Sequence, residues 1–476
     1  MRRFVPASRR LTAGLALLAF LAGSVAPLPM MPSRAQAFTV GEEREVGDKL
    51  LSLIRKEFTI LDEMDLTDYV TALGQQTLRL TGPQFFGYHF FVIDNKEFNA
   101  FAAPSGLIFF HSGLVDLCAT EGELVSVLAH EIGHAASRHI ADRMSKSGKI
   151  SAGTTALMLA GLLLGQGALS QAVVTGSMAG NLMANLKFSR EDEEEADRLA
   201  YKWMKEQERD PAEMVSMLKK MRRASRYSRN KVPTYLLTHP EPENRIGYIE
   251  DKILQDQPRP FPGRDEFAFQ RFKYRVQALT KDPQTHLPLL LNKAEEPGAQ
   301  DKDPMLFFGI AEAFLINRDF DKAREYLQKV ITRFPDKTIL RTDQGRYLLE
   351  AGRSKEALAI FKEVNQKDPA SLYNTYLLGK SLELSGENAK AALILEGLTE
   401  RVPSNARLYY DIGKLRAALG SPGAGHYNLG MYHYYLGAGK TALYHFKEAL
   451  KVLPEQDPLT AKVKEMQERM IRLERL

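Results

Sequence analysis

His130, Glu131 and His134 are the residues whose types and spacing speak most directly of chemistry. They lie in Glu123–His139, a segment with the apolar spacing of an amphipathic helix. Residues four apart share a helix face, so both imidazoles can turn toward one metal ion. Glu131, one step round, reaches a water on that ion. Two imidazoles and a carboxylate base at this spacing form the H-E-x-x-H arrangement of zinc-dependent peptide hydrolysis. One Zn2+ per chain is the expected cofactor.

Two imidazoles leave a tetrahedral zinc short of a protein ligand. One class of zinc peptidase supplies a third histidine six residues after the second. Position 140 here is Ile140, which excludes that arrangement. His139, one position short, is read as a cap on the helix end. The alternative is a carboxylate from a later helix. Ser189-Arg190-Glu191-Asp192-Glu193-Glu194-Glu195-Ala196-Asp197 offers one, although such a run on most helices is a solvated face. Spacing alone leaves Glu191, Glu193, Glu194 and Glu195 open. Glu193 and Asp197 are four apart and share a face. Asp197 can then accept a hydrogen bond from a ligand histidine, the partner that zinc sites use.

The elements that must position these residues follow from periodicity. Residues 40–82 read as one or two helices, with Leu50, Leu51, Leu53, Ile54 and Phe58 at helical spacing. Tyr88–Ile93 reads as a strand. Phe98–Ala102 and Gly106–His111 suggest a second strand or hairpin, with a bulge or turn at Pro104-Ser105-Gly106. Thr120 and Glu123 are spaced as a capping box for the H-E-x-x-H helix. Residues 151–186 are apolar and glycine-rich. They read as a buried helix and a small-residue loop able to cover the cleft, since Ala156–Leu164 is too short to span a bilayer. A second active-site helix is expected over Ser189–Glu206. Residues 256–303 read as a connection: Pro258, Pro260 and Pro262, one helix over Glu266–Leu279, then a polar stretch.

Beyond Asp303 the chain repeats. Pro335, Pro369 and Pro403 are 34 apart, as are Ala323, Ala357 and Ala391, and Gly345, Gly379 and Gly413. This is the tetratricopeptide period, with small residues where paired helices cross. A fourth unit has Gly430, Ala442, Phe446, Ala449 and Pro454. Pro454 comes one and a half periods after Pro403, so Ala406–Leu419 is an extra half-unit expected to break the superhelix and shape a pocket. A charged capping helix ends the chain. The fold class is therefore α+β, mostly α: a metalloprotease domain with a small sheet, then an α-solenoid.

The net charge of +5 comes from the first 37 residues, which hold five arginines and no acid. Without them 59 basic residues balance 59 acidic ones, and nothing suggests nucleic acid as a partner. A basic start, the apolar run Leu11–Ala26 and the small-x-small site Ala35-Gln36-Ala37 read as a secretory signal cleaved near Ala37. Cys118 is the single cysteine, so no intramolecular disulfide forms, and it reads as a buried apolar residue. The expected organisation is a signal at 1–37, a metalloprotease domain at 38–255, a linker at 256–303, repeats at 304–456 and a capping helix at 457–476.

The pattern Ser-Arg-x-x-Glu-x-x-Ala-Asp after H-E-x-x-H resembles the gluzincin zinc metallopeptidases that include HtpX and the CAAX prenyl proteases. That resemblance implies Glu193 as third ligand, the glutamate four before the aspartate. Asn99-Ala100-Phe101-Ala102 followed by Gly106–Phe109 looks like the family's edge strand, which implies that Asn99–Ala102 hold substrate as an added strand. Thr238-His239-Pro240 with Arg245-Ile246 looks like its His-Pro…Arg-Ile motif. The likeness covers about residues 40–250, and the signal and repeats narrow it to the BepA-like periplasmic branch. It implies an endopeptidase acting on misfolded or stalled envelope proteins, with the outer-membrane barrel-assembly machinery as a partner of the repeats. Glu131 is the implied general base. His239 either donates to the oxyanion or caps zinc in a resting state, and the resemblance favours the cap. Arg245 and Asp197 support the ligands. A chaperone or assembly scaffold with a mostly latent, His-capped site is the alternative. The remaining histidines, His89, His111, His286, His426, His433 and His445, read as structural.

Overall fold

The computed structural model describes residues 38–146, 151–163, 188–227, 235, 238–239, 242–256 and 260–475. The expected signal at 1–37, most of the expected cover loop (164–187), Pro240 and Pro258 lie outside the described residues.

Two helices open the described chain, α1 (Val40–Glu57) and α2 (Met64–Leu78). Thr39 caps α1 and forms a capping box with Glu42. Three strands follow: β1 (His89–Ile93), β2 (Ala100–Ala103) and β3 (Leu107–His111), in the order β1-β3-β2. β1 runs parallel to β3, and β2 is its antiparallel hairpin partner. The hairpin turns through Pro104–Gly106, where Ser105 and Gly106 take φ of 70° and 74°. α1 crosses this turn at Gly47, where a Cβ would come within 2.7 Å of the Pro104 carbonyl oxygen, so only glycine permits the approach. Strand alternation gives the sheet two buried faces. Phe90, Val92, Ala102, Ile108 and Phe110 join one core. Phe91, Ile93, Phe101 and Phe109 join the other, with Leu50 and Ile54 of α1.

After α3 (Ser112–Leu117) comes the H-E-x-x-H helix, α4 (Glu121–Ala136), buried from Gly122 to His134. Thr120 caps it, but the expected capping box is only half formed. The Glu123 carboxylate accepts instead from Ala119 N–H at 2.6 Å, Lys220 and Ser216. α5 (His139–Lys146) and α6 (Ala152–Leu163) follow, and α6 packs on α1 as the expected buried helix. α7 (Arg190–Glu206) carries the acidic run and starts from a Ser189–Asp192 capping box. α8 (Ala212–Tyr227) and α9 (Pro242–Gln255) complete this half.

Residues 260–303 hold more structure than a single helix. They form α10 (Phe267–Thr280), α11 (Pro283–Glu295) and the single turn α12 (Ala299–Lys302). Pro283 does not break structure; it occupies the first turn of α11 behind the Asp282 cap, where its missing N–H has no cost. α10 is shared between two cores. Phe269, Phe272 and Val276 enter the sheet-and-helix core, while Phe267 and Tyr274 enter that of the first repeat.

The repeats are helix pairs: α13 (Leu306–Ile316) with α14 (Phe320–Arg333), α15 (Ile339–Glu350) with α16 (Ser354–Lys367), and α17 (Leu372–Leu384) with α18 (Asn388–Leu398). Then come α19 (Ala406–Ala418), α20 (Pro422–Tyr435), α21 (Gly439–Val452) and α22 (Pro458–Arg475). Gly345 faces Phe361, Gly379 faces Leu395 and Gly430 faces Phe446, each too closely to admit a Cβ. α19 is the odd helix. Its Gly413 meets Leu429 and the Gly425 backbone of α20 instead. The solenoid curls back on α1: Arg469 of α22 holds Asp48 through two bonds, and Lys49 donates to the Leu473 carbonyl at 2.9 Å. A cavity of about 580 Å3 lies between α1, the start of the half-unit at Pro403 and Ser404, Tyr434, Tyr435 and α22. Among the described residues no helix is long and apolar enough to cross a membrane.

Candidate active site

α4 and α7 lie close enough to share ligands because of Gly133. A Cβ there would stand 3.1 Å from Cα and 3.2 Å from the carbonyl oxygen of Ala196. Across this contact α4 presents His130, Glu131 and His134, and α7 presents Glu193 and Asp197. Glu193 and Asp197 are buried, whereas Glu191, Glu194 and Glu195 face solvent. His130 Nε2 lies 3.1 Å from His134 Nε2, His134 Nε2 lies 3.3 Å from Glu193 Oε1, and His130 Nε2 lies 3.6 Å from Glu193 Oε2. Tetrahedral zinc with bonds of about 2.0–2.1 Å sets its ligand atoms about 3.3 Å apart. The three side chains therefore fit a zinc ion. Burial holds the His134 imidazole well below its usual pKa, neutral as a metal ligand must be.

His239 completes the cluster. Its Nδ1 is 2.8 Å from Glu193 Oε1 and 3.3 Å from His130 Nε2, and ligand atoms of all four residues lie within 4.8 Å of one another. Tyr235 stacks on the His239 ring at 4.3 Å, and the Tyr235 carbonyl accepts the His239 N–H. Burial would lower His239, but the carboxylates of Glu193 and Glu131 outweigh it and raise its pKa. His239 Nε2 and Glu131 Oε1 are both buried without a hydrogen-bond partner and stand 3.6 Å apart, so the two groups face one another beside the ligands.

Arg245 lies buried against the cluster. It clamps both acids of α7, reaching Asp197 through Nε and Nη2 at 2.8 Å and Glu193 Oε2 through Nη1 at 2.7 Å. Asp197 Oδ1 in turn accepts from His130 Nδ1 at 2.8 Å, as the shared face of α7 implied. Burial would raise Asp197, but Arg245 and His130 hold it ionised, far below the usual carboxylate range. Tyr248, one turn after Arg245, also donates to Asp197. Sequence reasoning missed Tyr235, Tyr248 and Phe188, which stacks on His134 at 3.9 Å. Only Tyr248 carried a signal, its three-residue spacing from Arg245. His139 does not cap α4. It opens α5, with its Nδ1 2.9 Å from His134 Nδ1.

The expected substrate strand is closed in this conformation. Asn99, Ala100, Phe101 and Ala102 are all buried. The Asn99 carbonyl accepts from His111 N–H, so the outward backbone groups of β2 belong to Ala100 and Ala102. Ala102 N–H already donates to Glu131 Oε2 at 2.8 Å. Burial pushes the Glu131 carboxyl above its usual pKa, against the pull of His239 and His130.

Residues 65–253 match the model of peptidase family M48, and residues 308–371 and 348–419 match tetratricopeptide repeat models. This chain carries an M48 peptidase domain. It is a zinc metallopeptidase followed by tetratricopeptide repeats. The chain is 28% identical over 424 residues to the beta-barrel assembly-enhancing protease of Escherichia coli K12, covering 85% of this chain and 84% of the relative. It is 31% identical over 166 residues to the metalloprotease LoiP of the same organism, covering 34% of this chain and 61% of the relative. The mitochondrial metalloendopeptidase OMA1 of Schizosaccharomyces pombe is 28% identical over 191 residues, covering 40% of this chain and 54% of the relative. The M48 match contains the whole cluster described above, from His130 to Arg245.

Proposed function

We propose that this chain is an endopeptidase of the bacterial periplasm that hydrolyses misfolded or stalled envelope and outer-membrane proteins. The repeats recruit clients and engage the outer-membrane barrel-assembly machinery. The name of the Escherichia coli relative, with coverage of 85% of this chain, supports the assembly role. The signal-like start of the chain supports the compartment. The observation that carries the reading is the buried cluster of His130, His134 and Glu193 with Glu131 beside it.

In this reading His130, His134 and Glu193 hold the metal. Zinc, when bound, supplies Lewis acidity that polarises the scissile carbonyl and lowers the pKa of water. Glu131 takes the proton of the attacking water on its carboxylate and hands it to the leaving amine nitrogen. Asp197 and Arg245 keep His130 and Glu193 oriented. Substrate lies along β2 and reads the outward backbone groups of Ala100 and Ala102. Glu131 must release Ala102 N–H before a strand can add there.

A second reading, an assembly chaperone with a mostly latent site, draws support from His239. Its Nδ1 lies 2.8 Å from Glu193 Oε1 and 3.3 Å from His130 Nε2, near enough to take the position a catalytic zinc keeps open. The two readings describe one protein in two states. Glu131→Gln tests the enzyme. Cleavage of casein and of an unfolded barrel protein should fall at least 10²- to 10⁴-fold, with zinc content unchanged (roughly the worth of a positioned base). Wild-type cleavage by that variant would remove Glu131 from the chemistry.

A further inference from the structure

The two histidines of the H-E-x-x-H motif are supported in different ways. His130 gives its Nδ1 to a buried carboxylate, Asp197. Among the described residues no carboxylate is bonded to the Nδ1 of His134. Its neighbour there is His139 Nδ1 at 2.9 Å. The protons of this pair can be assigned. His134 Nε2 faces His130 and Glu193, so on the ligand reading its lone pair belongs to the metal. A neutral imidazole with a free Nε2 carries its hydrogen on Nδ1. His139 Nδ1 must therefore accept, and the His139 proton sits on Nε2. That nitrogen lies 3.5 Å from Glu195 Oε2 and 4.0 Å from Asp192 Oδ1. Ser137 Oγ donates to the other Glu195 oxygen at 2.9 Å and steadies it. Phe188, on the His134 ring, also meets the edge of His139.

We propose that His139 is a positioning residue for the metal ligand His134: it accepts the Nδ1 hydrogen, fixes tautomer and ring plane, and relays the interaction to Glu195. The inference rests on the reading of His134 as a ligand. The charge balance explains why an imidazole stands where a carboxylate serves His130. Glu131, Glu193 and Asp197 already crowd the site, with Arg245 as the cation among them. A fourth buried carboxylate would carry the full desolvation cost of an unpaired anion. A neutral imidazole passes the interaction to Glu195, whose side chain is 48% exposed and solvated. His139 itself is buried, so the link is shielded from competing water.

The test is zinc affinity of the full chain, read by competition with a chromogenic chelator, with apoprotein melting as the fold control. His139→Leu removes the acceptor and should weaken zinc about 10- to 100-fold. His139→Asn places an amide oxygen near the former Nδ1 and should stay within about threefold of wild type. Glu195→Gln, a surface change, should weaken zinc about threefold, less than loss of the direct partner. The inference is overturned if His139→Leu lies within about twofold of wild type, or if His139→Leu and His139→Asn lose affinity equally. Should His139→Leu fail to fold, unchanged affinity in Glu195→Gln or a loss beyond tenfold (roughly the lower bound for a missing outer partner) in His139→Asn overturns it instead. His134→Ala separates the two levels. Zinc held at wild-type affinity there would sink the ligand reading. Zinc lost there but unchanged in His139→Leu would sink only the positioning role.

Discussion

On the capped reading proposed above, His239 decides whether the zinc site works or waits. Its Nδ1 sits among the three ligands, and its ring is pinned by Tyr235 on one side with Phe188 nearby. The approach of His239 Nδ1 to Glu193 Oε1 at 2.8 Å and to His130 Nε2 at 3.3 Å favours the capping role over that of an oxyanion donor. The predicted consequence is that His239→Ala raises casein cleavage about tenfold or more, as expected when the open state holds at most about a tenth of the population. Zinc should bind more weakly in the same variant because a fourth contact is gone. A fall in cleavage at retained zinc content would return His239 to the oxyanion role. At this scale the sequence was informative where partners are local. His130, Glu131 and His134 declare themselves through one helical turn. Physical spacing alone leaves Glu191, Glu193, Glu194 and Glu195 open; the family resemblance singles out Glu193, and the rotation of α7 against α4 buries it while the other three face solvent. Tyr235 and Phe188 act through ring contacts between segments distant in sequence, so nothing local marked them.

Helices α4 and α7 form one device, and Gly133 is their point of closest contact. Their separation at that residue is set by backbone atoms of Ala196, which cannot rotate away as a side chain could. Gly133→Val would gain helix propensity but must force the helices apart, at an overpacking cost of about 1–3 kcal/mol. The harm should be larger for metal than for fold. Glu193 rides on the displaced helix one turn from the contact, so its oxygens leave His130 and His134. Zinc affinity by chelator competition should drop while the apoprotein melts only slightly earlier. An unchanged affinity would mean that α7 does not set ligand spacing. Element types were largely legible, since periods of two and 3.6 are properties of each segment alone. The capping box at Thr120 was over-read because Lys220 and Ser216, distant in sequence, compete for Glu123. The segment 260–303 holds two helices and a helical turn where one helix was expected, and α11 begins at Pro283, a residue suited to a helix start.

The peptidase and the repeats are joined by buried charge as well as by apolar packing. Arg271 and Arg275 of α10 share Asp65 of α2, with Arg275 Nε at 2.8 Å and Arg271 Nη2 at 3.1 Å. Arg271 also holds Asp343 of α15, and Arg275 holds Glu312 of α13 at 2.9 Å. One acid of the peptidase half and two of the repeats thus neutralise a helix between them, while α22 fastens the far end of the solenoid to α1. If the repeats deliver clients, this network sets where the clients arrive. Asp65→Asn leaves two buried guanidinium groups short of an anion and should cost about 3 kcal/mol. Its pH dependence has a definite sign. Burial would raise Asp65, but Arg275 and Arg271 outweigh it and depress its folded pKa below the ordinary value of 3.8; Glu312 is likewise depressed below 4.5, by Arg346 and Arg275 against burial. A depressed carboxylate stabilises the fold fully above its unfolded pKa and loses that contribution as pH falls toward the folded one. The stability gap between wild type and Asp65→Asn, measured by urea midpoint, should therefore be constant above about pH 5 and shrink below about pH 4. A gap that instead narrows as pH rises would show that Asp65 is not held as an anion between the two halves. In the same variant, cleavage of a short peptide should match wild type while cleavage of an unfolded barrel protein falls, because only the larger client depends on how the repeats face the site.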